Sequence, residues 1–243
     1  MPAHDPNGRR FGEAVAAYER GRPEYPAAIV DWLLEFEPER VVDLGAGTGK
    51  LTRALVDRVG TVIAVEPDAA MRGALSERLP GTSVLAGTGE DIPLRDGYAD
   101  AVVVGQAWHW VDPRSAVPEV ARVLRSGGML GLVWNDRDEA DPWVRELSAL
   151  LLEFGTSPDA DYAPEVGPPF GELETTDVRW THDVTVDVVV DMIMSRSYVI
   201  ALPERRRSEL ADRVRGLAID GTDPVTGLVP VRYVTRGYRA VRP

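Results

Sequence analysis

The stretch Val41-Val-Asp-Leu-Gly-Ala-Gly-Thr-Gly-Lys50 decides the fold. Four residues of strand character, Val41 to Leu44, break into three glycines at alternate positions, Gly45, Gly47 and Gly49. Without Cβ atoms, such a loop lets the backbone pass close to a ligand. In an open parallel sheet the first strand-to-helix turn borders the crevice where strand order reverses, and ligands bind there. A dinucleotide fingerprint needs glycine at the first, third and sixth places. Counting from Gly45, the sixth place is Lys50, so NAD, and with it an NAD-dependent oxidoreductase, is the weaker reading.

Working outward, short apolar runs alternate with helical patterns as far as Trp134. The runs are residues 41–44, 61–66, 82–87, 100–106 and 128–134, nearly all apolar, as expected of strands covered on both faces. Between them Leu51 with Leu55, Met71 with Leu75, and Val117 with Val120, Val123 and Leu124 keep the three-and-four spacing of a helix with one buried stripe. This alternation predicts right-handed crossovers and a parallel sheet. Upstream, Ile29, Leu33 and Phe36 line one side of a covering helix. Downstream, Trp143, Leu147, Leu150, Leu151 and Phe154 line another. Residues 155–172, rich in Pro, Gly and acid, read as a loop. Strand-like 175–186, helical 188–217 and strand-like 229–241 complete the chain.

At 243 residues the chain suits one continuous α/β domain. Its 27 basic and 39 acidic residues give a net charge of -12, which disfavours a nucleic-acid groove and an anionic membrane surface. Cysteine is absent, so disulfides, thiolate nucleophiles and cysteine-bound metals are excluded. The first residues lack the apolar run of a signal peptide, and no later run approaches a membrane span, so a soluble, cytoplasmic monomer or homodimer is expected.

Glu66 ends the second strand about 20 residues after the glycine loop, the interval expected of an acid that accepts ribose hydroxyls. With that second feature, residues 41–134 resemble the catalytic core of a class I S-adenosylmethionine-dependent methyltransferase. The branch they look most like is the small-molecule group similar to the ubiquinone/menaquinone and trans-aconitate enzymes. Four stretches carry the resemblance: "VVDLGAGTGKLTRAL", "VIAVEPDAAMRGAL", "GTGEDIPLRDGYADAVVVGQAWHWVD" and "EVARVLRSGGMLGLVWNDRD".

The resemblance implies a doubly wound, Rossmann-like sheet, mostly parallel with an antiparallel C-terminal strand and helices on both faces. It also divides the chain into an N-terminal lid and covering helix (1–37), a cofactor-binding core (38–140) and an acceptor-pocket region with the last strands (141–243). Gly45, Gly47 and Gly49 would line the methionine and ribose of S-adenosylmethionine. Asp43 would organise the loop and reach the methionine amino group, Glu66 the ribose, and Pro67 and Met71 the adenine. Gly89, Glu90 and Asp91 would surround the adenine amine. Family members often carry an acid and an alanine where this chain has Thr88 and Gly89, which leaves open which side chain reads the base.

"YERGRPEYP" near the start resembles the lead-in of the same branch. It would place Tyr18, Arg22 and Tyr25 on a lid, with Arg22 either pairing with the cofactor carboxylate or solvated beside its prolines. After the fourth strand, Gln106 would contact the methionine part, and Trp108, His109 and Trp110 would wall the acceptor. His109 titrates in the range of a general base; the alternative is a packing residue in an enzyme that works by proximity alone. Trp134, Asn135, Arg196 and Tyr198 complete the expected acceptor pocket, Arg196 as an anion binder or as a surface ion pair. Asn135, Asp136 and Asp138 lie where catechol-type enzymes hold magnesium, but no aspartate follows the fourth strand directly, so no metal is expected. The sequence lacks "NPPY", which argues against DNA or protein-amide substrates. The expected activity is methyl transfer to an O, N or C atom of a small organic acceptor, apolar or aromatic and secondary-metabolite-like. The alternative is a non-methylating S-adenosylmethionine-binding protein, or a cyclase or isomerase on the same fold.

Overall fold

Val, Ile and Leu dominate the runs after residue 40 because these strands are buried on both faces, where β-branched and aliphatic side chains pack best. The computed structural model describes residues 19, 21–155 and 163–243, and two compact units are delineated in it. The larger comprises Glu24–Asn135, Ala163–Val178 and Thr235–Pro243. Its elements are α1 (Ala27–Leu33), β1 (Arg40–Leu44), α2 (Lys50–Val56), β2 (Thr61–Val65), α3 (Ala69–Arg78), β3 (Ser83–Leu85), β4 (Ala99–Gly105), a 3-10 turn (Trp108–Trp110), α4 (Pro113–Val123) and all of β5 (Leu124–Arg137) up to Asn135. The registers Val41↔Val62, Val41↔Ala101, Ala64↔Val84 and Val103↔Gly131 are all parallel.

Two further strands, β6 (Glu174–Val184) and β7 (Val229–Val241), complete a seven-stranded sheet of order β3-β2-β1-β4-β5-β7-β6. Gly127 donates to the Arg242 carbonyl and Arg242 to the Gly128 carbonyl, the reciprocal pairing of antiparallel strands, so β7 runs against β5. The antiparallel C-terminal strand expected from the sequence is β7. Chain order reverses between β1 and β4, which puts the ligand crevice of a doubly wound sheet at their carboxyl ends.

Ile29, Val30 and Leu33 of α1 and Leu51 and Leu55 of α2 pack with Val41, Val103 and Val133. Phe36, expected on the buried side of the covering helix, lies past the end of α1 and is 50% exposed. Its ring carries the guanidinium of Arg239 at 4.6 Å. Within the smaller unit, α5 (Pro142–Glu153), α6 (Val186–Met194), α7 (Ser197–Ile200) and α8 (Glu204–Asp220) surround a core that includes Leu147, Leu151, Val189, Ile193, Leu210 and Tyr233. Among the described residues, no helix is long and apolar enough to cross a membrane.

Candidate active site

The glycine loop adopts the conformation its composition allows. Gly45, Gly47 and Gly49 have φ of 71°, 56° and 90°, a region that other residues reach only with strain. A Cβ on Gly45 would stand 2.6 Å from the Cβ of Ala107, and one on Gly49 would stand 2.8 Å from Leu75 Cγ. A Cβ on Gly47 would meet nothing within 4 Å among the described residues beyond its chain neighbours, so that side of the glycine faces open space. The loop is pinned from below: the Val65 carbonyl accepts from the amides of Gly45 at 2.8 Å and Ala46 at 3.1 Å.

Glu66 holds the loop from the side. Its Oε2 accepts from the Gly47 amide and its Oε1 from the Asp68 amide, both at 2.9 Å, and the residue is only 8% exposed. Each carboxylate oxygen has two lone pairs, so both retain capacity for an incoming hydroxyl. Asp68 in turn caps α3, accepting from the amides of Ala70 and Met71. Pro67 is exposed beside it and Met71 half-buried.

Asp43 is buried more deeply still, with no exposed surface. The Thr52 hydroxyl donates to its Oδ2 at 2.5 Å, while Oδ1 is buried with no hydrogen-bond partner among the described residues. Burial pushes its carboxyl up to about 7; hydrogen bonds from Thr52 oppose the shift, and the nearby charge of Glu66 adds to it. An unpaired buried acceptor costs about 1–3 kcal/mol. A donor arriving above the loop would recover that cost, so these residues fit a ligand carrying an ammonium group and vicinal hydroxyls.

The turn after β3 is closed by reciprocal bonds between Thr88 and Asp91, and the Glu90 carboxylate accepts from the Asp112 amide at 2.8 Å. A Cβ on Gly89 would stand 2.6 Å from Val111 Cγ1. The departure from alanine thus follows from the valine that comes after the tryptophans. Glu90 and Asp91 are exposed and Gly89 is buried.

At the end of β4, Gln106 takes a positive φ of 59° and donates from Nε2 to the Asn135 carbonyl at 3.0 Å. Asn135 is 4% exposed; its Nδ2 donates to the Glu24 carbonyl at 3.1 Å and its Oδ1 accepts from Thr235 at 2.6 Å. The residues expected to wall the acceptor part company. Trp108 is fully buried, with Nε1 donating to the Glu165 carbonyl at 3.1 Å, and Trp134 is buried edge-on to Tyr238 at 5.8 Å. His109 and Trp110 are exposed, Trp110 by 75%, with their rings tilted at 4.8 Å.

Arg22, Arg196 and Tyr198 belong to the smaller unit, where Tyr198 packs on the core and Arg22 and Arg196 are half-buried. Tyr18 lies outside the described residues. Asp138 accepts from the Ala140 amide and pairs with Arg179 at 3.5 Å. Two contributors went unread in the sequence. Thr52 holds Asp43, and its only signal was a hydroxyl in the first turn of α2. Glu24 binds Lys50 and Arg53, and its only signal was the lysine that breaks the dinucleotide spacing.

Residues 42–132 match the family model "Methyltransferase domain". An uncharacterized methyltransferase of Mycobacterium tuberculosis is 52% identical over 208 residues, covering 85% of this chain and 84% of the relative. An uncharacterized methyltransferase-like protein of Schizosaccharomyces pombe is 34% identical over 214 residues, covering 83% of each. Among solved structures, a provisionally assigned type II methyltransferase from Anaeromyxobacter dehalogenans superposes with a TM-score of 0.66 at 25% identity, covering 90% of this chain and 97% of that one. The chain belongs to the class I S-adenosylmethionine-dependent methyltransferases.

Proposed function

We propose that this methyltransferase acts on a small organic acceptor with an apolar or aromatic body, and that the pocket formed by the glycine loop, Asp43 and Glu66 holds its cofactor. Bound there, S-adenosylmethionine supplies a methyl group already activated by a sulfonium, so the chain itself has to bind, orient, exclude water and receive a proton. One observation carries the reading. A fully buried carboxyl, Asp43, keeps one oxygen unpartnered among the described residues, two residues before a left-handed glycine loop that Glu66 clamps. Asp43 Oδ1 would take the amino group, Glu66 the ribose hydroxyls, Pro67 and Met71 one face of the adenine, and Gly89 to Asp91 its edge. Gln106, fixed by Asn135, would border the methionine.

For the acceptor, support comes from the pair His109 and Trp110. A tryptophan 75% exposed beside a histidine at the carboxyl end of β4 offers an aromatic surface and an imidazole that can accept a proton. A hydroxyl or amine acceptor stacked on Trp110 would lose its proton to His109.

Calorimetric titration with S-adenosylmethionine and S-adenosylhomocysteine tests the cofactor half. Micromolar binding by the parent, weakened by about 1–3 kcal/mol in Glu66→Ala, is the expected result. No binding of either ligand by the parent would overturn it. Screening phenolic and amine acceptors against aliphatic acids then tests the other half, and turnover confined to the acids would sink it.

A further inference from the structure

Lys50 is poorly placed for a residue with no task. It opens α2 directly after Gly49, and its side chain is only 12% exposed, so its ammonium needs an acceptor. That acceptor comes from 26 residues upstream: Glu24 Oε1 stands 3.0 Å from Lys50 Nζ and 2.7 Å from Arg53 Nη2. The segment carrying Glu24 is also held at two other points. Asn135 Nδ2 donates to the Glu24 carbonyl, and the Tyr25 hydroxyl lies over Gly105, only 2.5 Å from where a Cβ would be. Residues 24–26 therefore link the start of α2 to the ends of β4 and β5, before α1 begins at Ala27.

These three attachments differ in kind. The amide bond and the tyrosine contact are part of the packed interior. The ion pair is half open to solvent, with the Glu24 side chain 42% exposed, so it can break without disturbing the core and salt can screen it. Arg53, 59% exposed, adds little, because such pairs are worth about 0–1 kcal/mol.

We propose that Glu24, acting through Lys50, is a positioning residue: a latch that ties the 24–26 segment to the helix start that follows the glycine loop and slows departure of the cofactor. The proposal rests on the cofactor assignment given above. Opening the ion pair releases the segment from α2 and, because Lys50 adjoins Gly49, loosens the last glycine of the loop as well.

Stopped-flow release of S-adenosylhomocysteine provides the test, on the parent, E24Q, E24D, K50M, R53A and the charge exchange E24K/K50E. Release should quicken about 10-fold in E24Q and K50M, the scale of one lost charge-assisted hydrogen bond, and less in E24D and R53A. The exchange variant should return to within about threefold of the parent, which a merely structural role for either residue would not produce. Raising salt from about 50 mM to about 500 mM should speed release from the parent and leave E24Q unchanged. Hydrogen exchange on unliganded protein gives a readout independent of cofactor, with faster exchange expected in E24Q across residues 24–30. Equal exchange and equal release in parent and E24Q would overturn the latch while leaving the cofactor assignment standing. Failure of the parent to bind S-adenosylhomocysteine would instead overturn that assignment, and with it any role of the latch in release.

Discussion

The carboxyl ends of β1 and β4 are neighbours in the sheet, yet they are built on opposite terms. After β1, the loop amides are held by Val65 and Glu66, and the carboxyl of Asp43, two residues before the loop, is fully buried. After β4, the 3-10 turn buries Trp108 and leaves His109 and Trp110 in solvent. The first region is shaped before any ligand arrives, with one Asp43 oxygen left unpartnered among the described residues, and the second offers surface without enclosing it. Preorganisation strengthens binding by reducing what must be ordered on association; on the proposed assignment the cofactor would meet a loop already shaped and the acceptor an open surface.

The largest effect expected of this contrast lies in Asp43. Its carboxyl is raised to about 7 from an ordinary value of 3.8, so the folded protein binds more protons than the unfolded chain between those two pH values. The stabilising contribution is therefore fully present below about pH 4 and is lost as pH rises through 7. Linkage puts the swing on the order of 4 kcal/mol. Asp43→Asn should remove most of that pH dependence and be the more stable protein at pH 8, as read by urea denaturation across pH. The same variant should bind S-adenosylhomocysteine more weakly, and the parent's affinity should rise from pH 6 to pH 8 as the carboxylate forms. A parent whose stability is flat between pH 4 and 7 would show that the sealed carboxyl does not titrate there.

His109 sharpens the open side. With a hydroxyl acceptor, His109→Gln should lower kcat about 100-fold, at the low end of what a positioned base contributes, and remove the ascending limb of the pH-rate profile. The unliganded stability should barely move, because the ring is exposed. A drop under threefold with an unchanged pH profile would assign the rate to proximity alone.

How much of this was legible in the sequence follows the same division. The glycines and Glu66 could be read because backbone conformation and strand ends impose fixed spacings, and the core strands because burial on both faces leaves unbroken apolar runs. Asp43 was named, but its unpartnered oxygen depends on which side chains close over it. The Glu24–Lys50 pair joins residues 26 apart that no local pattern couples. Gly89 departed from the family pattern for a reason located in Val111, on another segment. The two neighbouring tryptophans were given one role: Trp108 and Trp110 look alike in sequence, but the turn sends one into the core, where the Glu165 carbonyl satisfies its N–H, and the other into solvent. Composition has no access to that sorting.

Trp110 gives the smallest and most discriminating effect. Exposed as it is, its removal costs the fold almost nothing, so any change in catalysis reports on the acceptor alone. Trp110→Ala should raise KM for an aromatic acceptor several-fold, consistent with about 0.5–1.5 kcal/mol for an aromatic contact, and leave cofactor affinity unchanged. Trp108→Ala, by contrast, should cost about 3–5 kcal/mol of stability, because it empties a buried ring site. If Trp110→Ala instead weakened the cofactor as much as the acceptor, the two strand ends would form one continuous binding surface, and the contrast between a finished half and an open half would be lost.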